Sequence, residues 1–369
     1  MKKLMLTSAL AGLLVSGSAI AQTTISGEMR INLKATEAKV ASSTTTQSKR
    51  GFGNEQQINF ATKGKLNVGG LDYAAGFSME NDGAQSNTLF NENTYIDITN
   101  ASSGTTLSIG LDHIQRSDSD RSAAVLVGFS PNELSTDGSA LSRFRQNLGP
   151  AVSQGMGIAV LQAVPNFGTL SYNYVPNTIN QTASSTTTST VGSGASENLL
   201  ENNQESGYEY GFTGGFGVKG LNTYYFKSAA KLETNAATNA VATTKAEAKS
   251  FGANYNFGQF TVGYADKTHN NGTGSEVSTN ITTAAMAVGE HKEKHYGAAY
   301  AVNKEMTVGL LYAKAEVAGS SVDSKLKGIN IGYNLGPVNA TVGYAKTSDV
   351  NGTVGSDVEV GMIRLIGAF

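Results

Sequence analysis

Four histidines, His113, His269, His291 and His295, are the first residues in this chain whose chemistry draws attention, and two of them share the segment HKEKH. His291 and His295 stand four residues apart, the spacing at which two imidazoles on a helix can hold zinc. Three charged residues separate them, the segment is not HExxH, and no third ligand lies near in sequence. It is expected at a loop–strand edge, as a solvated rim. Asp118-Ser119-Asp120 offers carboxylate oxygens of the kind calcium takes, without the rest of a ligand set. GxSxG and phosphate-loop motifs do not occur, and there is no cysteine, so thiol catalysis and a disulfide scaffold are both excluded. No catalytic residue, no metal and no cofactor is expected.

The remaining charges can act only through their field. Arg30, Lys63 and Arg364 sit in segments of alternating polarity, while Asp118, Asp120, Glu133, Asp137, Arg143 and Arg145 all fall in one long polar stretch, residues 113–156. What such charges do depends on the elements that carry them. In ISGEMRINLKA, Ile25, Gly27, Met29, Ile31, Leu33 and Ala35 share one face, and Ser26, Glu28, Arg30, Asn32 and Lys34 the other. A two-residue period is that of a strand with one apolar and one polar surface.

The first residues carry an address. Lys2 and Lys3 precede an apolar stretch from Leu4 to Val15, then Ala19-Ile20-Ala21 before Gln22. That is the pattern of a secretory signal cleaved after Ala21, and its apolar part is shorter than the roughly 20 residues a spanning helix needs. Residues 1–21 are therefore assigned to a signal peptide and 22–369 to a single domain. The formal charge of −2, with no basic tract, gives no reason to expect nucleic acid as a partner. Glycine (43) and tyrosine (15) are spread along the chain, proline is scarce (5), and no window shows sustained helical periodicity, so the whole unit reads as all-β.

Sixteen candidate strands can be placed: 25–35, 58–66, 71–79, 94–99, 105–111, 157–164, 169–174, 208–216, 221–226, 251–257, 260–264, 296–302, 306–312, 329–335, 338–344 and 358–369. Short turns alternate with long polar connections, so that all the long ones fall at one end, as in a transmembrane antiparallel up-and-down β-barrel. Two hairpins resemble each other: Tyr255-Asn256-Phe257-Gly258 leads to Val262-Gly263-Tyr264-Ala265, and Tyr333-Asn334-Leu335-Gly336 to Val342-Gly343-Tyr344-Ala345. Their aromatics beside the short turn suit an interfacial girdle. An outward face carrying Ile25, Met29, Ile31, Leu33, Phe60, Tyr73, Phe77, Val342 and Leu365 would meet lipid. A barrel of about sixteen strands leaves an aqueous lumen on its other face. Arg30, Lys63 and Arg364 project inward by the alternation. Each lies about five residues from its short-turn end, which places the three at similar heights as one basic patch, with Lys34 and Lys65 as extensions.

On these features the chain resembles the Gram-negative general porins, sixteen-stranded trimeric channels of the outer membrane. The residues that carry the resemblance are TISGEMRINL, the paired hairpins, the long third loop and the closing strand VGMIRLIGAF, which ends on Phe369. The resemblance implies a water-filled channel for passive diffusion of ions and small hydrophilic solutes, in a homotrimer embedded in outer-membrane lipid. It also implies recognition of Phe369 by the barrel assembly machinery. It further implies that residues 113–156 fold into the lumen as a constriction, with acidic groups facing a basic wall. The chain departs from enteric porins in lacking their PEFGG segment in this loop. A substrate-selective porin and a structural or adhesive barrel are the alternative readings. Inward aromatics such as Tyr95, Tyr224 and Phe226 are too few for a sugar channel's aromatic ladder.

Overall fold

The computed structural model describes residues 22–39, 41, 46–82, 90–111, 123–131, 133–134, 156–175, 207–230, 246–271, 289–316 and 319–369. They form sixteen antiparallel strands: β1 (Gln22–Lys39), β2 (Thr46–Lys65), β3 (Leu71–Asp82), β4 (Phe90–Asn100), β5 (Thr105–Leu111), β6 (Met156–Val164), β7 (Gly168–Val175) and β8 (Gly207–Gly214), then β9 (Leu221–Ala230), β10 (Ala246–Phe257), β11 (Phe260–Asn271), β12 (Gly289–Ala301), β13 (Met306–Glu316), β14 (Ser324–Asn334), β15 (Val338–Ser348) and β16 (Asp357–Ala368). Each strand pairs with its neighbours in sequence, and β1 pairs with β16, so the sheet closes on itself.

Alternation decides which side chains point out. Ile25, Met29 and Ile31 on β1, Val342 on β15, and Ile363 and Leu365 on β16 are all more than two-fifths exposed, as an outer surface made for lipid would be. Their strand neighbours Arg30, Gly343 and Arg364 turn the other way. Closure ends at the last residue: the Gly27 N–H donates to the Phe369 carbonyl at 2.9 Å, and the Phe369 N–H returns a bond to the Gly27 carbonyl at 3.0 Å.

Short turns join the strand pairs at one end. Between β10 and β11 only Gly258 and Gln259 intervene, and Gly258 has φ 86°, the positive value a two-residue hairpin needs at its first central position. Beside these turns exposed rings run in a row: Tyr255–Phe257 (6.0 Å between centroids), Phe257–Phe260 (5.8 Å) and Phe260–Tyr300 (4.8 Å). Phe167, Phe212 and Phe216 form a second cluster at 4.7–5.1 Å.

Most strands run further at the long-loop end than their apolar alternation indicates. β2 begins at Thr46, β11 continues to Asn271 and β12 begins at Gly289. Those extensions, such as DKTHNN and GEHKEK, are polar on both faces. The inward face also differs from the uniformly polar wall expected. On β13 to β16 and β1 it is apolar over a long patch, where Leu311, Ala313, Leu326, Ala345, Val360 and Met362 are buried.

A lysine on the outer face of a membrane barrel costs up to about 2–4 kcal/mol near the midplane, and little on the lumen face. Val342→Lys is therefore expected to lower the urea stability of the vesicle-inserted barrel by that order, and the inward Asn339→Lys to leave it nearly unchanged.

Candidate functional site

The inward face of β1 presents Glu28, Arg30, Asn32 and Lys34 in succession, a direct result of its alternation. Arg30 is held by two carboxylates. Its Nε donates to Glu28, and its Nη1 donates to Glu55 Oε2 at 2.9 Å across the β1–β2 ladder, where Arg30 and Glu55 are register partners. On the other side of β1, Arg364 of β16 donates from Nε to Asn32 Oδ1 at 2.8 Å and from Nη2 to Glu133. Its guanidinium carbon also lies 4.7 Å from the centre of the Phe129 ring, a cation–π distance.

Glu133 and Phe129 belong to a segment, 123–134, that lies against the inward face of the wall. Ser130 and Glu133 cap one helical turn reciprocally. The Ser130 N–H donates to Glu133 Oε2 (2.8 Å), the Glu133 N–H donates to Ser130 Oγ (3.3 Å), and the Leu134 N–H donates to the Ser130 carbonyl (3.1 Å). Pro131 occupies the first helical position, where its missing N–H costs nothing. The Glu133 carboxylate is thus divided: Oε2 caps the turn, Oε1 takes Arg364, and Lys34 Nζ donates to the Glu133 carbonyl at 3.0 Å.

Backbone buried against a wall needs partners for its carbonyls. Asn330 of β14, 2 % exposed, supplies them: its Nδ2 donates to the Val127 carbonyl at 2.8 Å and to the Phe129 carbonyl at 3.0 Å. Phe129 and Leu134, both fully buried, join the apolar patch of β13 to β16, and Ala123 packs at the far end with Tyr224 and Phe226 of β9, whose rings stack at 5.8 Å. The segment therefore follows the wall from β9 round to β1.

The basic trio is separated by the register. Arg364 faces Asn32, two residues from Arg30, but Lys63 faces Gln22, eight residues further along β1 and so roughly 25 Å from Arg30's level. Heights counted from strand ends ignore the stagger that closing a barrel imposes. Lys63 instead lies with Lys65, Asp72, Asp97 and Thr99 around a recess near the short-turn end, where Lys65 Nζ meets Asp72 Oδ1 at 2.8 Å. The expected opposition of acid and basic wall also takes another form, because Glu133 touches Arg364 directly. Asp118, Asp120, Asp137, Arg143 and Arg145 lie outside the described residues, as does His113.

HKEKH is no loop edge. It falls within β12, where residues four apart share a face but stand about 13 Å from each other, too far to chelate together. His295 is buried at 2 % exposure instead of solvated, with Nε2 3.2 Å from Glu293 Oε2, and Lys267 is Glu293's register partner on β11. Sequence reading passed over Asn330 and the Ser130 cap. Asn330 gives no local signal, but Ser-Pro-x-Glu is a capping box with proline at its first helical position, legible in advance.

A family model for Gram-negative porins matches residues 7–362. No curated protein matches the chain. Among solved structures, OmpF of Salmonella typhi in complex with daunomycin superposes with a TM-score of 0.63 at 13 % identity, over 95 % of this chain and 98 % of that one. A porin variant of Rh. blastica with five substitutions gives 0.56 at 14 % identity, over 94 % and 100 %. At such identities the superpositions speak for the fold.

Asn330→Leu keeps a side chain of similar size but leaves the Val127 and Phe129 carbonyls without their donor. It is expected to cost about 1–3 kcal/mol in urea unfolding of the vesicle-inserted protein, and to raise the open-channel current noise in planar bilayers.

Proposed function

The chain belongs to the Gram-negative porin family, whose members are outer-membrane diffusion channels and not enzymes, and we propose that this one passes ions and small hydrophilic solutes passively through a lumen narrowed by the segment 123–134. The observation that carries this reading is the course of that segment. Its described residues follow the wall, held at Asn330, Arg364 and Lys34. Arg30, Arg364 and Glu133 line the path at the level of the segment, and Lys63 lies nearer the short-turn mouth. Asp118, Asp120, Asp137, Arg143 and Arg145, on the same connection between β5 and β6 in sequence, are our further candidates for the constriction.

Export uses residues 1–21, removed after Ala21, and the mature chain 22–369 is the barrel. The C-terminal Phe369, whose backbone closes on Gly27, is the handle for the barrel assembly machinery. The mature protein works as a homotrimer in outer-membrane lipid, as its resemblance to general porins implies.

Refolded mature protein in a planar lipid bilayer under a salt gradient tests the proposal. Large stable steps, grouped in threes, are the expected result. Insertion without conductance would overturn it in favour of a structural or adhesive barrel. The sign of selectivity follows from the pairing on the wall. Removing Arg30 takes one positive charge from beside Glu28 and Glu55, and removing Arg364 takes one from beside Glu133. Arg30→Gln with Arg364→Gln is thus expected to shift the reversal potential toward cation selectivity; an unmoved potential would mean that these groups do not line the path.

A further inference from the structure

Five consecutive strands, β11 to β15, each place a glycine on the inward face under the segment: Gly263, Gly297, Gly309, Gly332 and Gly343. Glycine inside a strand weakens it by about 0.5–1 kcal/mol relative to alanine, and it commonly marks close approach by another backbone. Here the approaching chain is visible. A methyl group on Gly263 would overlap the carbonyl oxygen of Ala123, and one on Gly297 that of Ala124. These two glycines are register partners on β11 and β12, so together they leave a bare floor two strands wide. Further along, a methyl on Gly309 would come within 2.9 Å of Val127 Cβ and one on Gly332 within 3.2 Å of Val127 Cγ1, while one on Gly343 would strike the Phe129 ring. Other inward glycines are covered by neighbouring strands and not by the segment: Gly76 by the Phe60 carbonyl and the Tyr95 ring, Gly211 by the Phe226 ring and the Tyr225 carbonyl, and Gly252 by the Tyr224 ring.

We propose that these five glycines form a side-chain-free track that seats the segment flush against the wall and so sets the bore of the channel. The proposal rests on the reading of the protein as an open porin, and deepens it by naming the residues that determine its size limit. The carbonyls at the track's start cannot rotate clear of an added methyl without moving the chain, and the segment is pinned beyond them by Asn330 and by the contacts of Glu133. A chain fixed at those points and lifted between β11 and β12 bows toward the lumen axis, by about 1 Å or more if ordinary contact distances are to be restored.

The test is the Gly263→Ala/Gly297→Ala variant in planar bilayers, beside Gly361→Ala, whose methyl points into open space on the outer face of β16. A loss of single-channel conductance, with slower entry of the larger hydrophilic solutes in liposome swelling, is expected for the double variant only. Conductance that is unchanged or raised would overturn the proposal. Wild-type protein that inserts without conducting would instead overturn the porin reading, so the two failures are distinct. Should the double variant not assemble, a second experiment decides. The chain has no cysteine, and Val127→Cys with Gly309→Cys sets two β-carbons 2.9 Å apart, inside the roughly 3.5–4.5 Å that a disulfide spans, so that a shift of under about 1 Å lets the bond close. Its formation in the folded barrel supports the seat, and failure to form under oxidation overturns it.

Discussion

Every other feature of this molecule depends on the closure of β1 against β16. A sheet edge in hydrocarbon leaves its N–H and C=O groups without partners at several kcal/mol each, so a sheet that enters a membrane must become a ring. Here the ring is closed by a ladder running from Glu28–Ala368 to Lys39–Asp357, finished by the reciprocal bonds of Gly27 and Phe369. Closing sixteen strands fixes a diameter too large for their own side chains to fill. The apolar outer face is thus one consequence of closure, and the hollow that a second piece of chain must partly occupy is another.

That piece of chain settles the electrostatics in an unexpected way. Charges facing one another across a narrow passage would set up a strong field, but the wall cations here are matched at contact distance: Arg30 by Glu28 and Glu55, Arg364 by Glu133. A pair in contact acts as a dipole, and its influence falls off faster with distance than that of a lone charge, the more so beyond a Debye length of about 8 Å at physiological salt. Much of the wall's charge therefore holds structure together. Glu133 shows the economy of the arrangement, since one carboxylate caps a helical turn and anchors that turn to β16.

The strands were legible because a two-residue period is written wherever one face meets lipid and the other water. Their outer ends were not, because β2 before Ile58, β11 after Tyr264 and β12 before Tyr296 carry mostly polar residues on both faces and no alternation to read. Inward direction was also legible for Arg30 and Arg364, but relative height was not. Height depends on register across the ladder, which placed Lys63 opposite Gln22, and single-strand patterns carry no register. HKEKH was expected as a solvated rim because of its charges, but within β12 the alternation turns Glu293 and His295 inward, where both are buried. Other signals were present but belonged to a different level of structure. Val262-Gly263-Tyr264 and Val342-Gly343-Tyr344 drew notice as halves of a repeated hairpin, while their glycines faced a chain more than a hundred residues distant. No local rule connects the two.

Bore and charge consequently rest on different residues at different places along one segment. The side-chain-free floor lies under Ala123 and Ala124 on β11 and β12, whereas the ion pair and the capped turn sit on β16 and β1, with Asn330 between them. A segment anchored in this way transmits little from one end to the other, because Asn330 fixes two carbonyls at its centre and any displacement upstream must be absorbed before reaching Glu133. Tight packing on the apolar patch of β13 to β16 stiffens it further, since a close-packed interior resists shifts of even a methylene. Size limit and ion preference are in this respect independently adjustable in one barrel: the first through what the wall lacks, the second through what it carries.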